Sequence, residues 1–309
     1  MSLVPIQRLR EYASYLLVRV FVCVAQTLRM ETCWALSRLA AKICTDFVPL
    51  RRAVIEENLR LAYPHLDAAA RRRMTRRMWE HLFLMAAEVV HAPRKVHDTN
   101  WRDFFVLKRS NEVVEMFLDD RPTIFVAAHF GNFELGGDIL ALLGFPPHSI
   151  ARTLDNPYLN AYITRFRRRK GQALIPKKGG YDDIVRLLSE GEIMGFLADQ
   201  YAGAKGCWVN FFGRPASAHK AIALLALEHD ARVAVGYCRR LDRPMRFEVN
   251  LIDILDVRQA QEARGVRELT QWYTSRLEQA IRLSPDQYWW VHRRWKDNRP
   301  AKKSRRLAS

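Results

Sequence analysis

Two side chains in the stretch 124–137, IFVAAHFGNFELGG, have the types and spacing needed for acid–base chemistry. His129 ends an apolar run, and Glu134 follows five residues later. Both groups are costly to bury without a partner. A carboxylate bonded to one imidazole nitrogen fixes the tautomer and raises the basicity of the other nitrogen, which is what a general base requires. We therefore predict that His129 is a catalytic base and that Glu134 orients it.

A strand, a glycine turn and a helix would bring these two side chains together. The run 124–128 predicts a strand, the segment FGN suits a sharp turn, and a helix is expected from Phe133 onwards. On one continuous helix, residues five apart would point about 140° away from each other. In open α/β sheets, ligands bind at the carboxyl ends of the strands. The alternative is a histidine that only caps the helix or satisfies the strand end.

No nucleophile of the protein's own accompanies this pair. The chain has no G-x-S-x-G motif, and no suitably placed serine or cysteine lies near His129 in sequence. A histidine–carboxylate pair without a nucleophile suggests that the substrate supplies one, such as a hydroxyl that attacks an activated carbonyl.

Four further residues are candidates for binding a substrate. Arg152 ends a second predicted strand, where it could clamp a phosphate or stabilise an oxyanion, although a surface ion pair with Asp155 is an equal alternative. Asp199 lies at a third strand end, and Asn132 lies in the glycine turn. Arg214 is expected beside the same face of the sheet, in a turn followed by Ser217 as the N-cap of a helix.

The rest of the chain predicts an α/β fold with a mostly parallel central sheet flanked by helices. From residue 120, six short apolar runs alternate with helices expected near 134–143, 157–169, 180–190, 217–229 and 262–283. The last two runs are adjacent in sequence, which predicts one antiparallel pair. Gly144 and Gly191 follow two of the helices, where C-caps are expected. Residues 1–95 are predicted to be helical.

Charge and hydropathy point to anionic partners and to a membrane. A net charge of +17 attracts nucleic acid, anionic lipid or an acidic protein. Residues 12–28 are mostly apolar but contain Arg19, so a spanning anchor, an interfacial helix and a core helix all remain open. The aromatic and basic segment YWWVHRRWK, 288–296, suits a membrane surface as well as nucleic-acid bases. Five cysteines without zinc spacing predict reduced core thiols.

An ordered set of motifs resembles the bacterial lipid A biosynthesis acyltransferases, which carry an H-x4-D/E motif. His129 and Glu134 in AHFGNFE match that motif. The segments IEENLRLAYP, ARTLDNP, DQ followed by FFGRPA, and WVHRRWK resemble further blocks of the family in the same order, from about residue 50 to 297. The resemblance implies a glycerol-3-phosphate-acyltransferase-like fold with an N-terminal helical segment that associates with the membrane.

The resemblance also implies an activity and its partners. A fatty acyl chain would move from acyl carrier protein, or from acyl-CoA, to a hydroxyl of an anionic glycolipid, a lipid A precursor, at a membrane surface and without nucleic acid, cofactor or metal. His129 and Glu134 take the catalytic roles, and Arg152, Asp199, Arg214 and Asn132 are expected to bind substrate. Basic residues in 165–170 and Lys177 and Lys178 could dock the acidic carrier.

The implied organisation has three parts and a place in the cell. Residues 1–50 form the membrane-anchoring or interfacial segment, 51–297 the acyltransferase domain, and 298–309 a basic mobile tail. The expected location is the cytoplasmic face of the cell inner membrane. The alternatives are an acyltransferase for a lysophospholipid or another glycolipid, a hydrolase that activates water, and a non-catalytic basic protein that binds membrane or nucleic acid.

Overall fold

The computed structural model describes residues 4–151, 153–168, 171–176 and 179–296. Arg152, Lys170, Lys177 and Lys178, together with the predicted tail 298–309, lie outside the described residues.

The first third of the described chain is helical, as the sequence predicts. Asp67 caps the fourth helix, because its carboxylate accepts from the backbone N–H of Ala70. Pro64 follows the end of the third helix. None of the described helices is both long enough and apolar enough to cross a bilayer. The four helices are α1 (Val4–Thr27), α2 (Met30–Asp46), α3 (Arg52–Ala62) and α4 (Ala68–Lys95).

A seven-stranded sheet forms the centre of the molecule. Its strands are β1 (Phe105–Leu107), β2 (Thr123–Ala127), β3 (His148–Ala151), β4 (Ala173–Pro176), β5 (Ile193–Leu197), β8 (Arg232–Arg240) and β9 (Phe247–Asp256). Their order across the sheet is β1-β9-β8-β2-β5-β3-β4. All neighbouring pairs are parallel except β8 and β9, which are adjacent in sequence and antiparallel. The predicted α/β sheet and its antiparallel pair are confirmed.

Helices connect the strands. They are α5 (Ser110–Phe117), α6 (Phe133–Leu142), α7 (Pro157–Arg168), α8 (Tyr181–Ser189) and α9 (Lys220–Glu228), and a further helix, α10 (Val266–Leu283), follows the last strand. Gly144 and Gly191 follow α6 and α8 with φ angles of +93° and +79°, so the predicted glycine caps are confirmed.

The segment NFFGRPAS folds differently from the prediction. It forms a two-stranded hairpin of β6 (Cys207–Phe211) and β7 (Arg214–Ala218), separate from the main sheet. Phe212 and Gly213 take φ angles of +52° and +72°, as a tight primed turn requires. Ser217 therefore lies in a strand and donates to the Gly203 carbonyl, and His219 is the N-cap of α9. The prediction of Ser217 as the cap was wrong because the strand continues through it.

The core lies on both faces of the sheet and includes the N-terminal helices. Met30 and Cys33 of α2 pack in one buried cluster with Leu135 of α6 and Phe247 of β9. A domain boundary at residue 50 stays a prediction. All five cysteines are free; Cys33 and Cys238 are buried, but Cys23 is exposed, so the expectation of core thiols was wrong for Cys23.

Candidate active site

His129 and Asp199 meet at the carboxyl edge of the sheet. They follow the neighbouring parallel strands β2 and β5, in which Ala127 pairs with Leu197. Each side chain comes two residues after its strand, so the register brings them to the same level. The Asp199 carboxylate accepts from His129 Nδ1 at 2.8 Å. This bond holds the proton on Nδ1 and leaves Nε2 as the basic nitrogen.

The charges of this pair stabilise each other inside the protein. Burial disfavours protonation of His129, but the charge and hydrogen bond of Asp199 outweigh it, with a smaller contribution from Glu134, so the pKa of His129 is raised. Burial alone would raise the pKa of Asp199, yet the charge and hydrogen bond of His129 hold that pKa well below its usual range. Asp199 is therefore an anion that favours the imidazolium formed when His129 accepts a proton.

Glu134 does not hold the position that the sequence predicts for it. Its carboxylate forms a bidentate ion pair with Arg167 of α7, with 3.0 Å between Glu134 Oε2 and Arg167 Nε. The carboxylate hydrogen-bonded to His129 in the described chain is Asp199. Glu134 acts on His129 only through its charge. The prediction of a direct bond between His129 and Glu134 was wrong. Helix α6 directs the Glu134 side chain toward α7, and the register of β2 and β5 brings the Asp199 carboxylate to His129 instead.

Aromatic and polar side chains surround the free nitrogen of His129. Gln200 Nε2 lies 3.5 Å from His129 Nε2 and 3.3 Å from His292 Nε2. Because an amide nitrogen only donates, it faces an accepting nitrogen on each ring. The rings of Phe133 and Trp289 lie 5.1 and 5.2 Å from the imidazole of His129, between ring centroids. A substrate hydroxyl that replaces the Gln200 contact would meet the basic nitrogen.

The segment YWWVHRRWK belongs to this site. The His129 carbonyl accepts from Trp289 N at 3.0 Å, and Tyr288 and Trp290 are buried. Asn58 of α3 donates to the carbonyls of Trp290 and His292 at 2.7 and 2.6 Å. The sequence predicts that the aromatic residues of this segment lie at a membrane surface or against nucleic-acid bases, but Tyr288 and Trp290 are buried in the core. Trp289 and His292 were missed as site residues.

The turn between His129 and α6 is tightly held. Gly131 has a φ of +61°, and a Cβ there would lie 2.1 Å from the Cys238 carbonyl oxygen. Asn132 is fully buried, accepts from Leu135 N as the N-cap of α6, and donates to Glu88 of α4 at 3.2 Å. Both polar ends of the Asn132 side chain are thus engaged within the fold, and its predicted role in binding substrate stays a prediction.

An apolar cavity lies on the α6 face of the sheet, below the His129 level. Its volume of about 130 Å³ is some ten times what one water molecule needs. Pairing across four strands forms one row of its wall: Phe125, Gly195, Ser149 and Leu174. Glu134 and Arg167 line the cavity as well. The other lining residues two positions above or below this row along the chain are Ala127, Leu197, Ala151, Pro147 and Gln172.

The remaining predicted residues lie apart from this pair or are not described. Arg152 lies outside the described residues. Arg214 is exposed at the start of β7, and its role stays a prediction. Arg165 and Arg168 of the proposed docking surface are exposed on α7. Within the described part of the chain, no three histidine, cysteine or acidic side chains are grouped so that they could hold a metal ion.

Comparison with known proteins identifies the family. A model of the bacterial lipid A biosynthesis acyltransferases matches residues 4–297. The chain is 26% identical over 270 residues to the lipid A biosynthesis palmitoleoyltransferase of Escherichia coli K12, covering 85% of this chain and 84% of that protein. It is 22% identical over 260 residues to the lauroyltransferase of the same organism, covering 82% of each. The protein is a member of the bacterial lipid A biosynthesis acyltransferase family.

Proposed function

We propose that the protein transfers a fatty acyl chain from a thioester, carried by acyl carrier protein or coenzyme A, to a hydroxyl of a lipid A precursor. The observation that carries the proposal is the His129–Asp199 pair at the carboxyl ends of β2 and β5, two strands that line an apolar cavity. Family membership supports the same chemistry. The pair supplies a base, and the cavity supplies a place for a hydrocarbon chain.

The reaction is a direct attack by the acceptor. His129 Nε2 takes the proton of the hydroxyl while Asp199 stabilises the resulting imidazolium. The hydroxyl oxygen attacks the thioester carbonyl to form a tetrahedral intermediate. When this collapses, the new ester forms, the carbon–sulfur bond breaks and the imidazolium returns its proton to the thiolate. His129 thus ends the cycle neutral.

Glu134 contributes to the site from a second position. Its ion pair with Arg167 links α6 to α7 at the wall of the cavity. Its charge also favours the protonated form of His129. We assign Asp199 to orient the base, and Glu134 to hold Arg167 at the cavity and to support the imidazolium.

The acyl chain extends along the sheet from the His129 level. The row at Phe125 and Gly195 lies four residues below His129, which is about 13 Å at ~3.3 Å per residue. Gly195 has no side chain to fill the space, and a Cβ there would lie 3.2 Å from Ser149 Oγ. Each methylene buried in such a cavity contributes about 0.8 kcal/mol of binding.

The acceptor is reached at a bilayer surface, on the cytoplasmic face of the inner membrane. α1 and α2 expose large apolar side chains, including Leu17 at 72%, Phe21 at 65% and Leu39 at 55%. Arg38 and Lys42 are exposed on α2, where they suit anionic lipid. Arg19, which interrupts the apolar run, donates to the Tyr15 hydroxyl at 2.9 Å and lies 5.2 Å from the Tyr162 ring. The guanidinium is thereby partly satisfied at the contact between α1 and α7.

The basic surface serves two anionic partners. A carrier protein is acidic and a lipid A precursor carries phosphates, so a net charge of +17 favours the approach of both. Exposed Arg165 and Arg168 on α7 lie near the cavity wall formed by Arg167 and are the proposed contact for the donor.

The test is incubation of the purified protein with acyl carrier protein thioesters and a lipid A precursor, followed by mass spectrometry. The proposal expects acylated glycolipid as the main product. Free fatty acid in excess would indicate a hydrolase, and acylation of lysophospholipid in preference would indicate a different acceptor. Salt-sensitive binding to polyanions without any product would indicate a binding protein. Each of these results would overturn the proposal.

A further inference from the structure

A second group of ionisable side chains is buried behind the active-site turn. Arg240 of β8 forms a bidentate ion pair with Glu88 of α4, at 2.6 Å for each bond, and donates to His81 Nδ1 at 2.9 Å. All three side chains are at most 9% exposed. We call these residues the His81–Glu88–Arg240 cluster. A buried ion pair is weak evidence for stability, since desolvation offsets the attraction between the charges. The cluster therefore calls for another explanation.

The cluster is bonded directly to the turn that carries the catalytic base. His81 Nε2 lies 3.1 Å from the Gly131 carbonyl oxygen, and Glu88 accepts from the Asn132 amide. Because a guanidinium only donates, His81 Nδ1 must accept from Arg240, and the ring proton lies on Nε2 and points at Gly131. Burial and the charge of Arg240 lower the pKa of His81, which keeps this neutral form.

The contacts of the turn show why this bond matters. Two neighbouring backbone groups are held by other backbone groups: Gly131 N donates to the Gln287 carbonyl at 3.0 Å, and Asn132 N donates to the Cys238 carbonyl at 2.7 Å. The Gly131 carbonyl is held instead by a side chain from α4. The peptide after Gly131 is thus fixed at a left-handed residue only two positions from His129.

We propose that His81 is a positioning residue for His129: its Nε2–H holds the Gly131 carbonyl and thereby fixes the turn, while Arg240 and Glu88 hold His81 in the required tautomer. The inference rests on the proposed role of His129 as the base. Displacing a catalytic group by about 1 Å can cost ~10²-fold in rate. Loss of the bond therefore reduces kcat more than it raises KM for the acyl donor, since His81 does not line the cavity.

A matched pair of substitutions isolates the bond. The amide nitrogen of His81→Gln reaches the place of Nε2 and can still donate to Gly131, whereas His81→Asn is too short to do so but can still accept from Arg240. The control is His91→Asn, at a second buried histidine of α4 whose Nε2 lies 2.9 Å from the Ala25 carbonyl. Steady-state kinetics, melting temperature and an NMR titration of His129 are measured for each variant.

The expected result is a kcat loss of about 10–10²-fold for His81→Asn and only a few-fold for His81→Gln. The pKa of His129 falls in His81→Asn alone, because a loosened turn weakens its bond to Asp199. His91→Asn lowers the melting temperature without changing kcat or the pKa of His129. If His81→Asn does not fold, His81→Leu removes the same bond with an apolar side chain, keeps the Glu88–Asn132 bond, and should show the same losses.

Two results would overturn the inference. One is a loss of kcat that is equal in the two His81 variants and that follows only the fall in their melting temperatures. The other is an unchanged pKa of His129 in His81→Asn. A wild-type protein without acyltransferase activity would refute the proposed function instead, and the titration would still decide whether His81 positions the imidazole.

Discussion

Asp199→Asn and Glu134→Gln distinguish the two carboxylates that could serve His129. Asp199 is bonded to Nδ1 at 2.8 Å, and a hydrogen bond to a charged group contributes about 1.5–3 kcal/mol, or roughly 10–150-fold. An asparagine can also donate to Nδ1 and so favour the wrong tautomer, which raises the expected loss of kcat toward ~10⁴-fold. Glu134→Gln leaves the Asp199 bond in place and removes the Arg167 ion pair.

The assay is an NMR titration of His129 together with kcat for both variants. Asp199→Asn lowers the pKa of His129 more than Glu134→Gln does, because Asp199 is the main source of the raised value. Activity lost in Glu134→Gln is accompanied by a rise in KM for the acyl donor, since Arg167 lines the cavity. A larger fall of this pKa in Glu134→Gln than in Asp199→Asn would refute the assignment.

Three further predictions follow from the site and its surroundings. The midpoint of the acid limb of the kcat/KM pH profile lies above the ordinary histidine pKa of ~6.5. The raised pKa keeps His129 protonated, and thus inactive as a base, up to a higher pH. A midpoint below ~6.5 would contradict the bond to Asp199. Gly195→Val lowers kcat/KM for long acyl donors more than for short ones, by up to about fourfold for each methylene excluded from the cavity. A competition assay with donors of mixed chain length measures this difference. An equal loss at every chain length would show that the acyl chain binds outside this cavity. Phe21→Glu weakens binding to anionic vesicles in a flotation assay without changing the melting temperature, because the side chain is exposed; undiminished binding would remove α1 from the membrane surface.

The position of the base follows from local sequence, but its partner does not. An apolar run ending in histidine, then glycine, is enough to predict a strand end at His129. The choice between Glu134 and Asp199 depends on which strands are neighbours, and β2 lies beside β5 although about 65 residues separate them along the chain. The similar endings AAH (127–129) and LAD (197–199) after two apolar runs are the signal that could have paired them.

Two other parts of the molecule show where local patterns fail. Phe212 takes a left-handed conformation that a phenylalanine rarely adopts, stabilised by ring contacts with Tyr63 and Trp290, so the hairpin was not predictable from propensity. His81 and Glu88 lie seven residues apart on one face of α4, the spacing of a buried stripe. An ionisable pair on such a stripe is a signal that sequence alone could supply, although its partner Arg240 lies about 150 residues away.

The central claim is that the imidazole of His129 activates the acceptor hydroxyl. The most direct measurement is the single-turnover rate of acyl transfer by purified His129→Ala, with donor binding measured separately. We expect the rate to fall by about 10²–10⁴-fold while the donor still binds. A rate equal to that of the wild-type protein would contradict the account.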